Sequence, residues 1–202
     1  MTAKSIKYCI CLNLIIVSLL LSGCGGPKPY NKNYYVLNVN RSAETARPEN
    51  NFILDVHTFT IDSAFDSKGL VYRTAEFQYE TDFYNEFLIS PAVMFTEKTR
   101  TWLLNAGIFK HVLDKGSYLD STHTLQANIT ALYADRREKK AVMEIRTFLI
   151  SDTAPDDSVI MTAAYKAFSP LKSQTPEAIL QAFDDCLTRI LRDLEADLKR
   201  KL

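Results

Sequence analysis

Four residues near the start of the chain, Leu21-Ser22-Gly23-Cys24, have the composition and spacing of a lipoprotein processing site. Small residues precede the bond that a signal peptidase would cut, and the cysteine after it offers a thiol that can carry diacylglycerol. We therefore predict lipidation at Cys24, which would become the first residue of the mature protein. The competing interpretation is an uncleaved membrane anchor with an incidental cysteine.

The residues ahead of this site have the organisation of a signal peptide. Lys4 and Lys7 precede a mostly apolar run over residues 8–20, which is too short for a membrane-spanning helix of roughly 20 apolar residues. We expect a signal peptide over residues 1–23, a flexible tether over 24–33 and one domain over 34–202. The nine tether residues after Cys24 would extend to about 30 Å at most.

Removing the signal peptide leaves 179 residues, enough for one domain with a proper core. The mature chain carries 22 basic and 24 acidic residues. This balance argues against nucleic acid as a partner, because polyanion binding requires a cationic surface. Cys9 and Cys11 leave with the signal peptide and Cys24 is acylated, so Cys186 is the one remaining thiol and no internal disulfide is expected.

No other residues form a recognisable catalytic or metal-binding pattern. The chain has no Gly-x-Ser-x-Gly elbow, no phosphate-binding glycine loop and no His-Glu-x-x-His pair. His57, His111 and His123 lie on separate predicted elements, so we expect surface or half-buried strand residues. The acidic loop over residues 152–157 lacks the glycine and closing glutamate of a calcium-binding EF-hand. We predict a protein that is not an enzyme and has no metal or cofactor.

Alternation of apolar and polar residues with a period of two predicts most of the domain as β-strands. The predicted strands cover residues 34–37, 52–60, 70–73 with 75–79 as one bent strand or a pair, a short strand over 108–112, and residues 125–133, 141–150 and 159–168. The last three have short connections and should form an antiparallel meander.

Two helices complete the predicted domain. Ser90-Pro91 is a capping pair that opens a helix ending at Gly107, and Thr175-Pro176 opens a second. The second helix carries an apolar stripe at three- and four-residue spacing, which includes Cys186 as a small, inert, buried thiol. The sequence thus predicts an α+β domain, with a mainly antiparallel sheet and two main helices packed on one face.

The segment over residues 79–87 is unusually aromatic, because Tyr79, Phe83, Tyr84 and Phe87 occur there among acidic residues. Two interpretations stay open. In the first, a strand end and loop pack these rings onto the core. In the second, the rings form an amphipathic contact patch for lipid or protein.

The order of several weak motifs resembles the ABC-type transport auxiliary lipoprotein family. The resemblance follows the lipobox and then covers nearly all of the mature chain, through Tyr34-Tyr35-Val36-Leu37, Leu70-Val71-Tyr72-Arg73, the Ser90-Pro91 helix with Trp102-Leu103, Ala106-Gly107-Ile108-Phe109, residues 125–135, residues 140–150 and the last helix. Many members carry a tryptophan shortly after the Tyr-Arg segment, whereas this chain has Phe83-Tyr84-Asn85-Glu86-Phe87 there.

The resemblance implies a non-catalytic periplasmic lipoprotein that serves a transporter of lipids or other hydrophobic molecules. Its implied partners are a protein with a mammalian-cell-entry domain and the permease and ATPase of the inner membrane. Tyr72 and Arg73 are the predicted contact residues, since tyrosine and arginine are common interface anchors. Closed cyclic assembly of several copies would suit a docking port for a tube-like partner, and the sequence leaves it open.

Gly25 follows the predicted lipidated cysteine, where the retention signal for the inner membrane would be aspartate. We therefore expect a lipid anchor in the outer membrane, with the domain facing the periplasm. The alternative function is a structural lipoprotein that assists assembly of the outer membrane without a transporter.

Overall fold

The computed structural model describes residues 31–41, 47, 48, 50–153 and 158–202, in which residues Lys32–Leu202 form a compact unit. Its elements in chain order are the strands β1 (Asn33–Tyr35), β2 (Ile53–Val56), β3 (Thr60–Ile61), β4 (Gly69–Arg73) and β5 (Tyr79–Phe87), the helix α1 (Pro91–Ala106), the strands β6 (His111–Val112), β7 (His123–Asp135), β8 (Lys140–Ser151) and β9 (Ser158–Pro170), and the helix α2 (Pro176–Lys201).

The three longest strands, β7, β8 and β9, form the antiparallel meander that their alternation predicts. The register sets Leu125 opposite Leu149 and Ile129 opposite Ile145, and all four side chains are buried. Successive strand residues point to opposite faces, so these residues form the face of the sheet that the helices cover. The prediction of a meander is confirmed.

The remaining strands make the sheet mixed rather than purely antiparallel, although its longest pairs are antiparallel and it is mainly antiparallel, as predicted. On the side of β7 away from β8, three short strands, β2, β3 and β4, pair with it one after another, and all three run parallel to it. β5 pairs antiparallel with β4, and β1 lies parallel to β5 at one edge. Two parallel strands need a long connecting segment, which brings the chain back to the end of the sheet where the first strand began. Here α1 and its flanking segments form that connection before β7.

Both helices begin and end near the predicted residues, and the α+β class is confirmed. The Thr175 hydroxyl accepts a hydrogen bond from the Ala178 N–H at 3.4 Å, whereas no side-chain hydrogen bond from Ser90 caps α1. Gly107 ends α1 with φ at 69°, the left-handed conformation that glycine adopts easily. The helices cover one face of the sheet and enclose a single core with Phe87, Phe95 and Phe183 among its largest buried residues.

Two predicted strands have different bounds in the structure. Most of the predicted strand over 75–79 is a tight turn, in which the Thr74 N–H donates to the Gln78 carbonyl at 3.0 Å, and the strand β5 follows it. The predicted strand over 52–60 is divided into β2 and β3. The division occurs where the Phe59 N–H donates to the Thr96 hydroxyl of α1 at 2.9 Å rather than to a neighbouring strand.

Candidate functional site

Five exposed aromatic side chains lie on β5, on the turn before it and on its partner β1, and we call this set the aromatic edge: Tyr34, Phe77, Tyr79, Phe83 and Tyr84. Because β1 pairs with Asn85–Phe87, Tyr34 lies near one end of β5, and Phe77 and Tyr79 lie at the other. Phe77 in the turn before β5 is 90% exposed, Phe83 is 60% exposed and Tyr34 is 56% exposed. Of the aromatic residues in the 79–87 segment, only Phe87 is buried in the core. The structure therefore favours the contact-patch interpretation over the core-packing one.

Specific contacts join the β1 side of the aromatic edge into one surface. The register of the parallel strands places Tyr34 beside Glu86, and Glu86 forms an ion pair with Lys32. The Lys32 ammonium lies 4.4 Å from the centroid of the Phe83 ring, and that ring meets Tyr84 edge-on at 5.2 Å. The cation and the two rings are therefore held in a defined arrangement.

Tyr79 connects the other end of the aromatic edge to the sheet. Its ring meets Tyr133 of β7 at 5.4 Å and Phe65 at 6.0 Å, in both cases edge-to-face. These contacts fix one side of the Tyr79 ring while 44% of the residue stays exposed. A rigid aromatic ring binds a partner at low cost in conformational entropy.

Asp82 fixes the backbone between the two ends of the aromatic edge. It accepts the Tyr72 hydroxyl at 2.7 Å and the backbone N–H groups of Tyr84 and Asn85 at 2.8 and 3.0 Å. Burial alone would raise the pKa of Asp82, but these hydrogen bonds hold it below its usual value. Asp82 therefore stays ionised and sets the backbone conformation that presents Phe83 and Tyr84.

The structure does not bring the predicted contact residues Tyr72 and Arg73 together on one surface. They are neighbours in β4, so their side chains leave opposite faces of the sheet. Tyr72 is only 4% exposed, belongs to the core and lies 3.9 Å from the Arg136 guanidinium. Burial raises the pKa of its hydroxyl. Tyr72 thus offers almost no surface to a partner, and the contact role stays a prediction for Arg73 alone.

Arg73 has a structural role that the sequence did not indicate. Its guanidinium forms an ion pair with Asp135, which is completely buried at the end of β7, and also approaches Glu138 at 3.5 Å. Asp135 accepts the backbone N–H groups of Arg137 and Glu138, each at 3.0 Å. Burial would raise the pKa of Asp135, but these hydrogen bonds and the Arg73 charge hold it below its usual value.

Glu195 is the centre of a second buried ionic group, between the two helices. Its carboxylate accepts the Trp102 indole N–H at 2.8 Å, two Arg41 N–H groups at 3.0 Å each and the Lys199 ammonium at 2.7 Å. Although burial opposes ionisation, these donors lower the pKa of Glu195 to about 2. The sequence feature that could have indicated this buried group is the position of Glu195, one helical turn after Leu191 and beside the apolar stripe of α2.

The histidines do not form a catalytic or metal-binding group. His57 and His111 are exposed, as expected, but His123 is buried against the rings of Phe52 and Phe109. Burial lowers the pKa of His123. The nearby Ser121 hydroxyl donates to Asp152. Within the described residues, no cluster of three or more histidine, cysteine, aspartate or glutamate side chains could hold a metal ion.

We expect Cys186 to be inert in the folded protein. The residue is completely buried on α2, its sulfur lies 4.0 Å from the Ala141 carbonyl oxygen, and burial raises the pKa of its thiol to about 12. A thiol-reactive dye should therefore label the native mature protein at least about a hundred-fold more slowly than the urea-unfolded protein. Equal rates in the two states would contradict this packing.

The predicted lipidation residue, Cys24, and the signal peptide lie outside the described residues. Across the part of the chain that the structure describes, no helix has the length and apolar character needed to span a membrane.

No protein-family model and no curated protein matches the sequence. A solved structure from Xanthomonas campestris, described by the family model DUF330, matches with a TM-score of 0.68 at 17% identity over 80% of this chain and 92% of that one. The structure of an uncharacterized protein matches with a TM-score of 0.67 at 14% identity, over 83% of this chain and 99% of that one. The structure of a hypothetical protein from Chlamydia trachomatis matches with a TM-score of 0.51 at 10% identity, over 74% of this chain and 98% of that one. These similarities establish that the domain has the fold of a DUF330 protein.

Proposed function

We propose that this chain is a lipid-anchored periplasmic lipoprotein that acts as a non-catalytic docking component of an ABC-type transport system. The cargo would be lipids or other hydrophobic molecules. The observation that carries the proposal is the processing site ending at Cys24, followed by a tether and a single domain. The family resemblance of that domain supports the transport role, and its DUF330-type fold is compatible with it.

The proposed location gives such a component a physical task. A lipid that crosses the aqueous periplasm exposes its acyl chains to water, at about 0.8 kcal/mol for each methylene. A continuous protein path between the membranes avoids this cost. A domain held near the outer membrane by a ten-residue tether could receive the end of such a path from a partner with a mammalian-cell-entry domain.

Lipidation is tested by changing the cysteine. We expect wild-type protein to incorporate an alkyne-tagged fatty acid and to fractionate with the outer membrane, and Cys24→Ala to lose both properties completely. Cys11→Ala is the matched control, because Cys11 lies in the predicted signal peptide and its loss should change neither. Cys24→Ala protein that is still acylated in the outer membrane would contradict the anchor.

The transport role is tested by purifying the lipidated protein from gently solubilised envelopes and identifying the co-purified proteins and lipids by mass spectrometry. Recovery of a protein with a mammalian-cell-entry domain, together with a permease, is the expected result. Recovery of envelope-assembly proteins alone, at a depth at which the transporter is detected in the input, would contradict the transport role and favour the structural alternative.

A further inference from the structure

We propose that the aromatic edge is a membrane-contact surface, which lies in the headgroup region of the bilayer that holds the lipid anchor. This inference rests on the anchor of the proposed function and adds a second attachment, made by the folded domain itself. The occupant is therefore a lipid surface, and the contact residues are Tyr34, Phe77, Tyr79, Phe83 and Tyr84.

The position of the aromatic edge in the chain favours the bilayer as its partner. Tyr34 is ten residues after Cys24, so its Cα lies within about 33 Å of that of the acylated residue even if every intervening residue is extended. Phe83 and Tyr84 are joined to the same edge of the sheet through Lys32 and Glu86. A short tether raises the effective concentration of a nearby surface to the order of millimolar, which makes weak insertion of exposed rings persistent.

The chemistry of these residues is that of a membrane interface rather than of a hydrocarbon core. Three of the five are tyrosines, which combine an apolar ring with a polar hydroxyl group, and tyrosine is enriched at membrane–water interfaces for this reason. Lys32 places its ammonium over the Phe83 ring while pairing with Glu86, so the aromatic surface carries a charged group beside the ring, as at a membrane interface.

The charges around the rings determine which lipids the surface prefers. Glu76 and Glu80 are exposed among the rings, and Lys32 is already paired with Glu86. The aromatic edge therefore has no cationic excess that would attract anionic headgroups. We expect contact with a zwitterionic bilayer, and no increase in contact when anionic lipid is added.

The test uses the mature, lipidated protein in phosphatidylcholine vesicles that contain doxyl-labelled lipid as a quencher. A fluorophore is attached at Gln78→Cys, between Phe77 and Tyr79, and in a second protein at Ser117→Cys. Ser117 is a matched control, because it lies in an exposed loop beside the exposed residues Tyr118 and Leu119. Cys186 is buried and leaves the introduced cysteine as the reactive thiol.

We expect lipid quenching at position 78 to be at least about two-fold stronger than at position 117, and unchanged when one fifth of the lipid is phosphatidylglycerol. Adding Phe77→Ser and Phe83→Ser should remove this difference, whereas Tyr118→Ser with Leu119→Ser should not. All four side chains are exposed, so thermal unfolding should confirm that each variant is folded.

Each other outcome overturns the inference. Equal quenching at the two positions, with the protein still floating on the vesicles, would show an anchor without domain contact and would leave the proposed function intact. If the fluorophore at position 78 is protected from the lipid quencher, and this protection is lost when the protein is diluted on the vesicles, a second copy of the chain is the occupant. Wild-type protein that carried no acyl chain and did not float with the vesicles would instead contradict the anchor on which the proposal depends.

Discussion

Replacing Glu195 with alanine should lower the free energy of unfolding by about 3 to 5 kcal/mol. Glu195 is 9% exposed, and its carboxylate is the common acceptor for Arg41, Trp102 and Lys199. Its removal leaves the Arg41 guanidinium and the Trp102 indole N–H without this acceptor between α1 and α2. A buried cation that loses its counter-ion is costly, because the interior cannot solvate it as water does. Urea denaturation followed by circular dichroism measures the change.

Glu144→Ala is the control for this experiment. Glu144 lies on β8 and pairs with Lys166 on β9, but more than half of the Lys166 side chain is exposed, so the cation stays solvated and the loss should cost about 1 kcal/mol or less. If the two variants lost equal stability, the charge of Glu195 would not be the reason for the effect.

The same group predicts a pH dependence with a definite sign. The pKa of Glu195 is about 2 in the folded protein and close to 4.5 for an ordinary glutamate. The unfolded chain therefore takes up this proton first as the pH falls, so the stabilisation is complete above about pH 4.5 and is lost as the pH falls toward 2. Glu195→Gln carries no such charge. We expect the difference in the free energy of unfolding between wild type and Glu195→Gln to be constant from pH 7 to 5 and to decrease below pH 4.5. An increase in this difference below pH 4.5 would contradict a lowered pKa of Glu195.

The second large effect is expected at Gly69, the first residue of β4. A Cβ atom there would overlap the Asp82 carbonyl oxygen and the Thr81 methyl group, both on β5. The carbonyl belongs to the backbone of a paired strand and cannot rotate away, so the strands must separate. We expect Gly69→Ala to destabilise the domain by about 2 to 3 kcal/mol. Because β5 carries three residues of the aromatic edge, hydrogen exchange should also quicken over residues 79–87.

Gly116→Asn is the matched control among the glycines. Gly116 has a positive φ of 84° but open space where a Cβ would lie, and asparagine tolerates that conformation. This variant should be within about 0.5 kcal/mol of wild type. Faster exchange over residues 79–87 in Gly116→Asn, or unchanged exchange in Gly69→Ala, would contradict the close strand approach.

The chain sequence determined those features that depend on neighbouring residues. Capping pairs and a terminal glycine located α1 and α2, because these residues act within one helical turn. The alternation of apolar and polar residues located β7, β8 and β9, because a strand with one buried and one solvent-exposed face has a period of two residues. The apolar spacing of α2 also placed Cys186 in the core. The processing site at Cys24 is equally local and stays a prediction.

Only the tertiary structure decided which strands pair in parallel and which side chains share a surface. Three short strands align along β7, and no local pattern states their order. The charge of Glu195 is neutralised by Arg41, 154 residues earlier in the chain, so its burial could not be foreseen from α2 alone. The same holds for the aromatic edge. Tyr34 and Phe83 lie on neighbouring strands because β1 pairs with β5, and whether their rings are exposed depends on which element covers that edge.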